Sequence, residues 1–200
     1  MTRRRSDVGY IMRYKFDRNN LCLNDISNAR ASISIQEQGT GNMKLTPFFK
    51  EGIQFECQGS GKCCVSHGEY GEVYMTLEDR KRMAKDLGMK LAPFTAKYCH
   101  QVDSVWALKP NPAGGDCIFL KNKKCSVYLG RPTQCRTWPF WPDVMNARTW
   151  KKEIASFCPG VGKGRTHTAE EMILAATEQT ESEKALRQER AENIKKARRS

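Results

Sequence analysis

Two short stretches in the first half of the chain have the residue pattern of strands, and in the second of them apolar and polar residues alternate as in a half-buried strand. These stretches predict strands at 53–57 and 72–76. A helix is expected after Thr76, because this residue suits the N-cap position and Asp79 stands at the capping-box position. Apolar residues then recur at helical spacing until Gly88, where the helix should end.

The next segments predict further short elements of both kinds. Apolar runs predict strands at 104–108, 117–120 and 125–128, with a turn at 121–124 between the last two. Helical spacing and proline positions predict short helices at 93–98, within 131–140 and at 150–157. Short strands interspersed with short helices indicate the α+β class.

Composition divides the chain into three parts. Residues 1–42 are rich in Asn, Ser, Gln and Arg and poor in apolar runs, which predicts a flexible N-terminal arm. Residues 43–166 hold the regular patterning and are expected to form one domain, and Met43 is a hypothetical natural start. Residues 167–200 are rich in Ala, Glu, Lys and Arg, which predicts a long, solvated, charged C-terminal helix.

The chain has nine cysteines, and the compartment decides how they are interpreted. No apolar segment follows the charged N-terminus as in a secretory signal, and no stretch is long enough to span a membrane. We therefore expect a cytoplasmic protein, in which clustered cysteines favour metal binding over disulfides. An odd number of cysteines also leaves one unpaired in any disulfide scheme.

The formal net charge is +12, and +9 of it falls between residues 43 and 167. A basic excess is typical of proteins that bind nucleic acid. Here it coincides with the cysteines, whose thiolates would be negative when they bind a metal. The location of the charge therefore weakens the nucleic-acid interpretation without excluding it.

Seven cysteines between residues 57 and 158 are the candidate metal ligands. They are Cys57, Cys63, Cys64, Cys117, Cys125, Cys135 and Cys158. Neighbouring side chains of an extended segment point to opposite faces, so we expect Cys63 and Cys64 to diverge. This leaves open two mononuclear sites, or one polynuclear cluster with a supporting thiol. Cys22 lies in the arm and is expected to take no part.

Residues around these cysteines suggest how the site is supported. Gln58–Lys62 is a glycine-containing loop that can bend its backbone around an ion. Arg131 and Arg136 flank Cys135 and are expected either to lower thiol pKa values or to form surface ion pairs. The three aromatic residues that follow form either a dry wall of the site or ordinary core. They are Trp138, Phe140 and Trp141.

The remaining cysteines and histidines include candidates for additional ligands. His67 follows Cys64 closely, and Cys99 and His100 are adjacent, so each is a candidate for an additional ligand. The glycine-rich segment 160–164 resembles a phosphate-binding loop, but without a preceding strand it is expected to be a flexible exit loop.

The order and spacing of these motifs resemble the YkgJ-type cysteine-cluster family, a zinc- or iron-chelating domain, over roughly residues 44–165. The motifs that carry the resemblance are FECQGSGKCC at 55–64, CIFL at 117–120, CSVY at 125–128, RPTQCRTWP at 131–139 and CPG at 158–160. Many family members carry a further cysteine where this chain has Ser60. The resemblance implies a bound zinc or iron–sulfur centre, with one ligand fewer or with Cys99 or a histidine recruited instead.

We therefore expect a small, irregular α+β domain held together by metal, with a long C-terminal helix. Its predicted function is to coordinate an iron–sulfur cluster or zinc in a structural or redox role. Seven cysteines exceed the four ligands of one zinc ion, which favours an iron–sulfur cluster, although two zinc ions would also satisfy the count.

Two alternatives remain open. The first is a cluster-dependent enzyme such as a protein lysine methyltransferase, since flagellin lysine methylases contain a similar cluster of cysteines. No catalytic base or cofactor fingerprint in the sequence supports it. The second is an adaptor that binds RNA, a ribosomal particle or another protein through the basic surface and the C-terminal helix.

Overall fold

A computed structural model describes residues 46–65, 72–113 and 116–199. The predicted arm, the hypothetical start at Met43, Cys22 and His67 lie outside the described residues. Within these residues the α-helices are α1 (Pro47–Lys50), α2 (Leu77–Asp86), α3 (Leu91–Tyr98), α4 (Thr133–Thr137), α5 (Ala147–Thr149), α6 (Ala155–Phe157) and α7 (Ala169–Ala197). Short 3₁₀ helices lie at Lys62–Cys64 and Pro142–Val144, and a π-helical segment, Trp150–Ile154, joins α5 to α6. Six strands are β1 (Ile53–Phe55), β2 (Cys99–Val102), β3 (Val105–Leu108), β4 (Leu120–Lys121), β5 (Lys124–Cys125) and β6 (Val161–His167). The α+β prediction is confirmed.

The strands form three antiparallel pairs: β1 with β6, β2 with β3, and β4 with β5. The turn between β4 and β5 places Asn122 at φ 50° and Lys123 at φ 63°. Two consecutive positive φ values are what a two-residue type I′ hairpin turn requires. The hairpin predicted around 121–124 is therefore present, although each of its strands has only two residues.

The strand predicted at 72–76 is not formed, and only Tyr74 makes an isolated bridge, to Ala107. The segment still contacts β3, because the Met75 N–H donates to the Trp106 carbonyl oxygen at 2.8 Å and the Leu108 N–H donates to the Val73 carbonyl oxygen at 2.9 Å. A side chain, rather than a further strand, occupies the opposite edge of the segment. Gln134 accepts a hydrogen bond from the Tyr74 N–H and donates one to the Glu72 carbonyl, at 3.0 and 3.1 Å. These backbone groups are therefore bound to an amide side chain instead of a neighbouring strand.

The loop predicted at 160–164 is also wrong, because most of this segment belongs to β6. Ile53 pairs with His167 and Gln54 with Thr166, and the register then shifts so that Phe55 pairs with Val161. Glycines in the bulged strand adopt positive φ values that other residues rarely reach. The glycine-rich segment is therefore a strand. This follows from its pairing with β1, which is distant in sequence, and not from any local signal.

Helix α2 has the predicted capping box, in which Thr76 and Asp79 each bind the other's backbone N–H. The Asp79 carboxylate is 1% exposed and also accepts hydrogen bonds of 2.9 Å from both the N–H and the hydroxyl of Thr133. Arg82 pairs with the same carboxylate at 2.5 Å. Asp79 therefore fastens α2 to α4, the helix that carries Cys135.

Two main hydrophobic cores support these elements. The first core contains Phe49, Ile53, Phe55, Phe140, Trp141, Val144, Met145, Trp150, Ile154 and Met172. The second core contains Met75, Met83, Ala84, Phe94, Cys99, Leu108, Phe119 and Val127. Both cores contain helix residues, and cysteines of the motif pack against each of them: Cys158 against the first, and Cys117 and Cys125 against the second.

Helix α7 has the predicted length but is not solvated on all sides. Met172 and Ala176 are fully buried, and Leu186 joins a small cluster with Val105. Glu189 forms an ion pair with Arg80 of α2. The buried apolar positions are few and widely spaced, which is why composition indicated a solvated helix. In the part of the chain described here, no helix has the length and apolarity to cross a membrane.

Candidate metal site

One cavity of about 860 Å³ is lined by all seven of the predicted cysteine ligands. The first of them follows β1, the next two lie on a short 3₁₀ turn, and the others come from β5, α4 and the loops before β4 and β6. The cavity wall includes Phe55 and Phe140 of the first core and Phe119 and Val127 of the second. Segments separated by up to a hundred residues thus present sulfur to one space.

The adjacent cysteines do not diverge as predicted. Lys62–Cys64 forms a 3₁₀ turn rather than an extended segment, and the Cys63 and Cys64 sulfurs are 3.9 Å apart. Both line the cavity. The expected division of the pair between two faces of the chain is therefore wrong, because its premise of extended backbone does not hold.

The glycine-containing loop before this turn depends on its glycines. Gly59 and Gly61 have φ values of 61° and 69°. A Cβ at Gly61 would lie 2.9 Å from the Lys123 carbonyl oxygen, so the loop packs closely against the β4–β5 hairpin. This contact places Cys63 and Cys64 beside the hairpin that carries Cys125.

Burial dominates the acid–base properties of most of the thiols. It raises the pKa values of Cys117, Cys125 and Cys158, and raises that of Cys135 well above the usual range. Charge on neighbouring cysteines raises these pKa values further. The thiols therefore lie close enough to repel one another once ionised, and a cation between them would relieve this repulsion.

The Cys63 thiol behaves differently from the others. A hydrogen bond from Cys64 is the main reason that its pKa falls to about 7, with burial acting in the opposite direction. The same bond, together with burial, raises the pKa of Cys64. Cys63 is also exposed, so the pair offers one accessible thiolate at neutral pH beside a thiol that keeps its proton.

The two arginines that flank Cys135 have different surroundings. Arg131 lowers the pKa values of Cys63, Cys125 and Cys135 through its charge, as predicted. Its guanidinium stacks 3.6 Å from the centre of the Tyr128 ring. Arg136 instead forms an ion pair with Glu178 of α7, which corresponds to the alternative that we considered for it.

The aromatic residues after Cys135 form part of the cavity wall, and two of them also belong to the first hydrophobic core. Trp138, Phe140 and Trp141 all line the cavity, and Phe140 and Trp141 are also members of the first core. Among the described residues the buried Trp138 Nε1 has no hydrogen-bond partner at standard distance and angle, yet Trp138 lies near enough to Cys158 to lower that thiol's pKa. An indole N–H of this kind suits a sulfur ligand that carries negative charge.

Two of the additional ligands suggested by the sequence, Cys99 and His100, lie outside the cavity. Cys99 is buried in the second core, 3.9 Å from the Met75 sulfur, where burial raises its pKa to about 11. His100 pairs with Glu72 at 3.0 Å, and neither Cys99 nor His100 lines the cavity.

His167 does line the cavity, and sequence reasoning did not single it out. Its Nε2 lies 3.1 Å from the Phe55 carbonyl oxygen, and its Nδ1 lies 3.6 Å from Glu171. The pairing of β6 with β1 brings it there, so no local signal in the sequence could have identified it.

The donor set fits a soft, thiophilic metal centre. Thiolates are preferred ligands of zinc and of iron–sulfur clusters, and the buried Trp138 N–H and the charge of Arg131 suit an anionic sulfur site. Across the described residues, no three Cys, His, Asp or Glu side chains stand in an arrangement ready to hold a single ion. The sulfurs surround the cavity without closing on one point.

Comparison with known proteins agrees with this chemistry. The chain is 29% identical over 122 residues to the "Uncharacterized protein MJ0661" of Methanocaldococcus jannaschii, which covers 58% of this chain and 63% of the relative. The chain therefore spans less than two thirds of that relative's length. No solved structure matches. Residues 56–159, just over half of the chain, match the CxxCxxCC family, described as a "Putative zinc- or iron-chelating domain", and the protein belongs to this family.

Proposed function

We propose that the protein binds one polynuclear metal centre through Cys57, Cys63, Cys64, Cys117, Cys125, Cys135 and Cys158, and that the centre is an iron–sulfur cluster rather than a pair of zinc ions. The observation that carries this proposal is the single cavity lined by all seven thiols. A mononuclear zinc site uses four ligands in a closed tetrahedron. Seven thiols around one open space suit a larger group.

The shape of the site supports this choice over two separate zinc sites. Two independent tetrahedra would divide the cysteines into two groups, each closed on its own ion. Instead, the charge of Cys63 raises the pKa values of thiols from three later segments of the motif, those of Cys117, Cys135 and Cys158. Its central position favours one shared centre.

The surroundings support a redox role in addition to a structural one. Aromatic residues close one side of the cavity, and a low-dielectric wall of this kind tunes the potential of a cluster. On the other side Cys57 and Cys63 are exposed, so this edge of the centre would lie near the surface. Metal ligation also contributes folding free energy, which suits a domain whose described residues form only two-stranded sheets.

The proposal is tested by anaerobic purification of the full chain, followed by an absorption spectrum and measurement of iron, zinc and acid-labile sulfide per chain. A brown protein with iron and sulfide in similar amounts is the expected result. A colourless protein with two zinc ions would overturn the choice of cluster. A folded protein that binds neither metal would overturn the proposal as a whole.

A further inference from the structure

The family motif is one cysteine short in this chain. The motif places cysteines at the first, fourth, seventh and eighth positions, and here Ser60 stands at the fourth, between Cys57 and Cys63. Ser60 is exposed and lines the same cavity as the seven cysteines. Its hydroxyl accepts a hydrogen bond of 3.4 Å from the Lys62 N–H. A neutral hydroxyl is a poor donor to a thiophilic metal, so the substitution removes a ligand.

The surrounding loop shows that this position is still presented to the cavity. Gly59 and Gly61, on either side of Ser60, have positive φ values, and Gly61 packs against the Lys123 carbonyl oxygen. These contacts keep the loop beside the β4–β5 hairpin. The backbone therefore retains the form that presents position 60, while the side chain there is no longer a thiol.

Three lysines lie in or beside the loop that carries Ser60 and line the same cavity. Lys123 and Lys124 line the cavity beside the loop, and neither forms an ion pair with any residue that the structure describes. Lys62 lies within the same loop and donates to the Phe157 carbonyl oxygen at 3.2 Å. Of the acidic residues that line the cavity in the described part of the chain, Glu56 is the one next to this loop in sequence. Three ammonium groups beside one carboxylate favour an anionic ligand over a neutral or cationic one.

We propose that the Ser60 edge of the cavity binds a low-molecular-weight thiol that also carries a carboxylate, and that its sulfur takes the ligand position which the family motif assigns to a cysteine. The thiol loses its proton to the solvent and donates a sulfur lone pair to the metal, with no change of oxidation state. The carboxylate lies towards Lys123 and Lys124. This inference rests on the metal centre proposed above.

The test uses the metal-loaded full chain and two thiols of similar size and opposite charge, 3-mercaptopropionate and cysteamine. Each is titrated at low ionic strength, and binding is followed by the absorption and electron paramagnetic resonance spectra of the centre. The expected result is saturable binding of mercaptopropionate about tenfold tighter than that of cysteamine, since two nearby ammonium groups each contribute modestly. The Lys123→Ala/Lys124→Ala double variant should lose this preference.

Two substitutions at position 60 complete the test. Ser60→Cys should retain the metal and lose the response to added thiol, because its own sulfur occupies the position. Ser60→Ala should respond like the unchanged protein. If neither thiol changed the spectra of the metal-loaded protein, or if the Ser60→Cys variant still bound them, the inference would be overturned and the proposed function would stand. Loss of metal from Ser60→Ala would make Ser60 a ligand and also overturn it. Failure to load metal into the unchanged chain would overturn the proposed function as well.

Discussion

The backbone N–H of Cys117 donates a hydrogen bond of 2.7 Å to the carbonyl oxygen of Cys64. This bond joins the two halves of the cysteine motif, which are far apart in sequence. The charge of Cys117 raises the pKa of Cys64, so the two side chains also interact electrostatically. The candidate site therefore depends on the tertiary fold, unlike a local chelate whose ligands lie within a few residues of one another.

Replacing a cavity cysteine should remove the metal, whereas replacing the buried cysteine outside the cavity should not. Cys135→Ser takes away a thiol that lines the cavity, and we expect metal affinity to fall by more than about 100-fold, beyond the usual effect of a supporting residue. The matched control is Cys99→Ala, which affects the second core. It should cost about 1 kcal/mol of stability and leave the metal content unchanged.

Metal and sulfide analysis of both variants, with urea unfolding to verify that each is folded, checks this prediction. A Cys135→Ser protein that binds the full amount of metal would show that Cys135 is not a ligand. Loss of metal from a folded Cys99→Ala protein would place Cys99 in the ligand set, against its burial beside Met75.

Metal binding should release protons, and the apparent affinity should rise with pH. Burial raises the pKa values of Cys117, Cys125, Cys135 and Cys158 above the ordinary thiol value of about 8.5, so these groups are protonated at neutral pH without metal. Ligation requires thiolates. Each of these thiols that becomes a ligand releases one proton, and the logarithm of the apparent binding constant then rises by about one per pH unit for each.

Zinc provides a convenient probe for this linkage, through competition with a chelator between pH 6 and pH 8. The chelator's own protonation is corrected separately. Calorimetry in two buffers of different ionisation enthalpy counts the released protons independently. Affinity that does not change with pH would contradict ligation by these four thiols.

Local elements of the fold could be predicted from the sequence, because their signals lie within a few residues. The capping box at Thr76 and the turn at Asn122 and Lys123 are examples. Pairings between distant segments could not be predicted. The glycines of strand β6 predict a loop, and only the pairing with β1 makes this segment a strand.

The same distinction applies to the candidate site. The cysteines themselves are conspicuous in the sequence, and spacing alone was enough to nominate the seven that line the cavity. His167 and the lysines of the β4–β5 hairpin reach this space through tertiary contacts. The sulfurs of Cys63 and Cys64 lie close together because the backbone forms a 3₁₀ turn. In an extended strand the two side chains would point to opposite faces.

The Asp79 carboxylate should be one of the most important polar groups for stability. It is buried, pairs with Arg82 and accepts hydrogen bonds from Thr76 and Thr133. Asp79→Ala leaves these donors and the Arg82 charge without their partner, which should cost about 3–5 kcal/mol. Glu78→Ala is the control, since Glu78 is 75% exposed in its pair with Lys81 and should cost less than about 0.5 kcal/mol.

Urea unfolding of the two metal-free variants measures both values. Similar small losses for the two substitutions would mean that water readily replaces the contacts of Asp79. In that case the contacts of Asp79 would not be what holds α2 against α4.

Helix α7 should contribute to the core on one face and very little on the other. Met172 is fully buried in the first core, so Met172→Ala should destabilise the protein by about 2–5 kcal/mol. Leu174, two residues along the same helix, is 70% exposed, and Leu174→Ala should change stability by less than about 0.5 kcal/mol. Thermal and urea unfolding measure the difference, and equal effects would support the solvated helix that composition suggested.

Gly61 should matter for metal binding through the shape of its loop. Gly61→Ala introduces a Cβ at φ 69°, within 2.9 Å of the Lys123 carbonyl oxygen, so the loop must move away from the hairpin. Because Cys63 and Cys64 follow two and three residues later, metal affinity should fall by about tenfold or more. Gly88→Ala is the matched control: its φ is 63°, but no atom lies within 4 Å of the added Cβ.

Both alanines incur the backbone strain of a positive φ, about 1–2 kcal/mol, and only Gly61→Ala adds the steric clash. The two variants should therefore lose similar stability from strain, while only the first loses metal affinity in competition with a chelator. Unchanged affinity in Gly61→Ala would show that the loop adapts without moving its cysteines. Reduced affinity in Gly88→Ala would instead indicate that general loss of stability, rather than loop shape, controls metal binding.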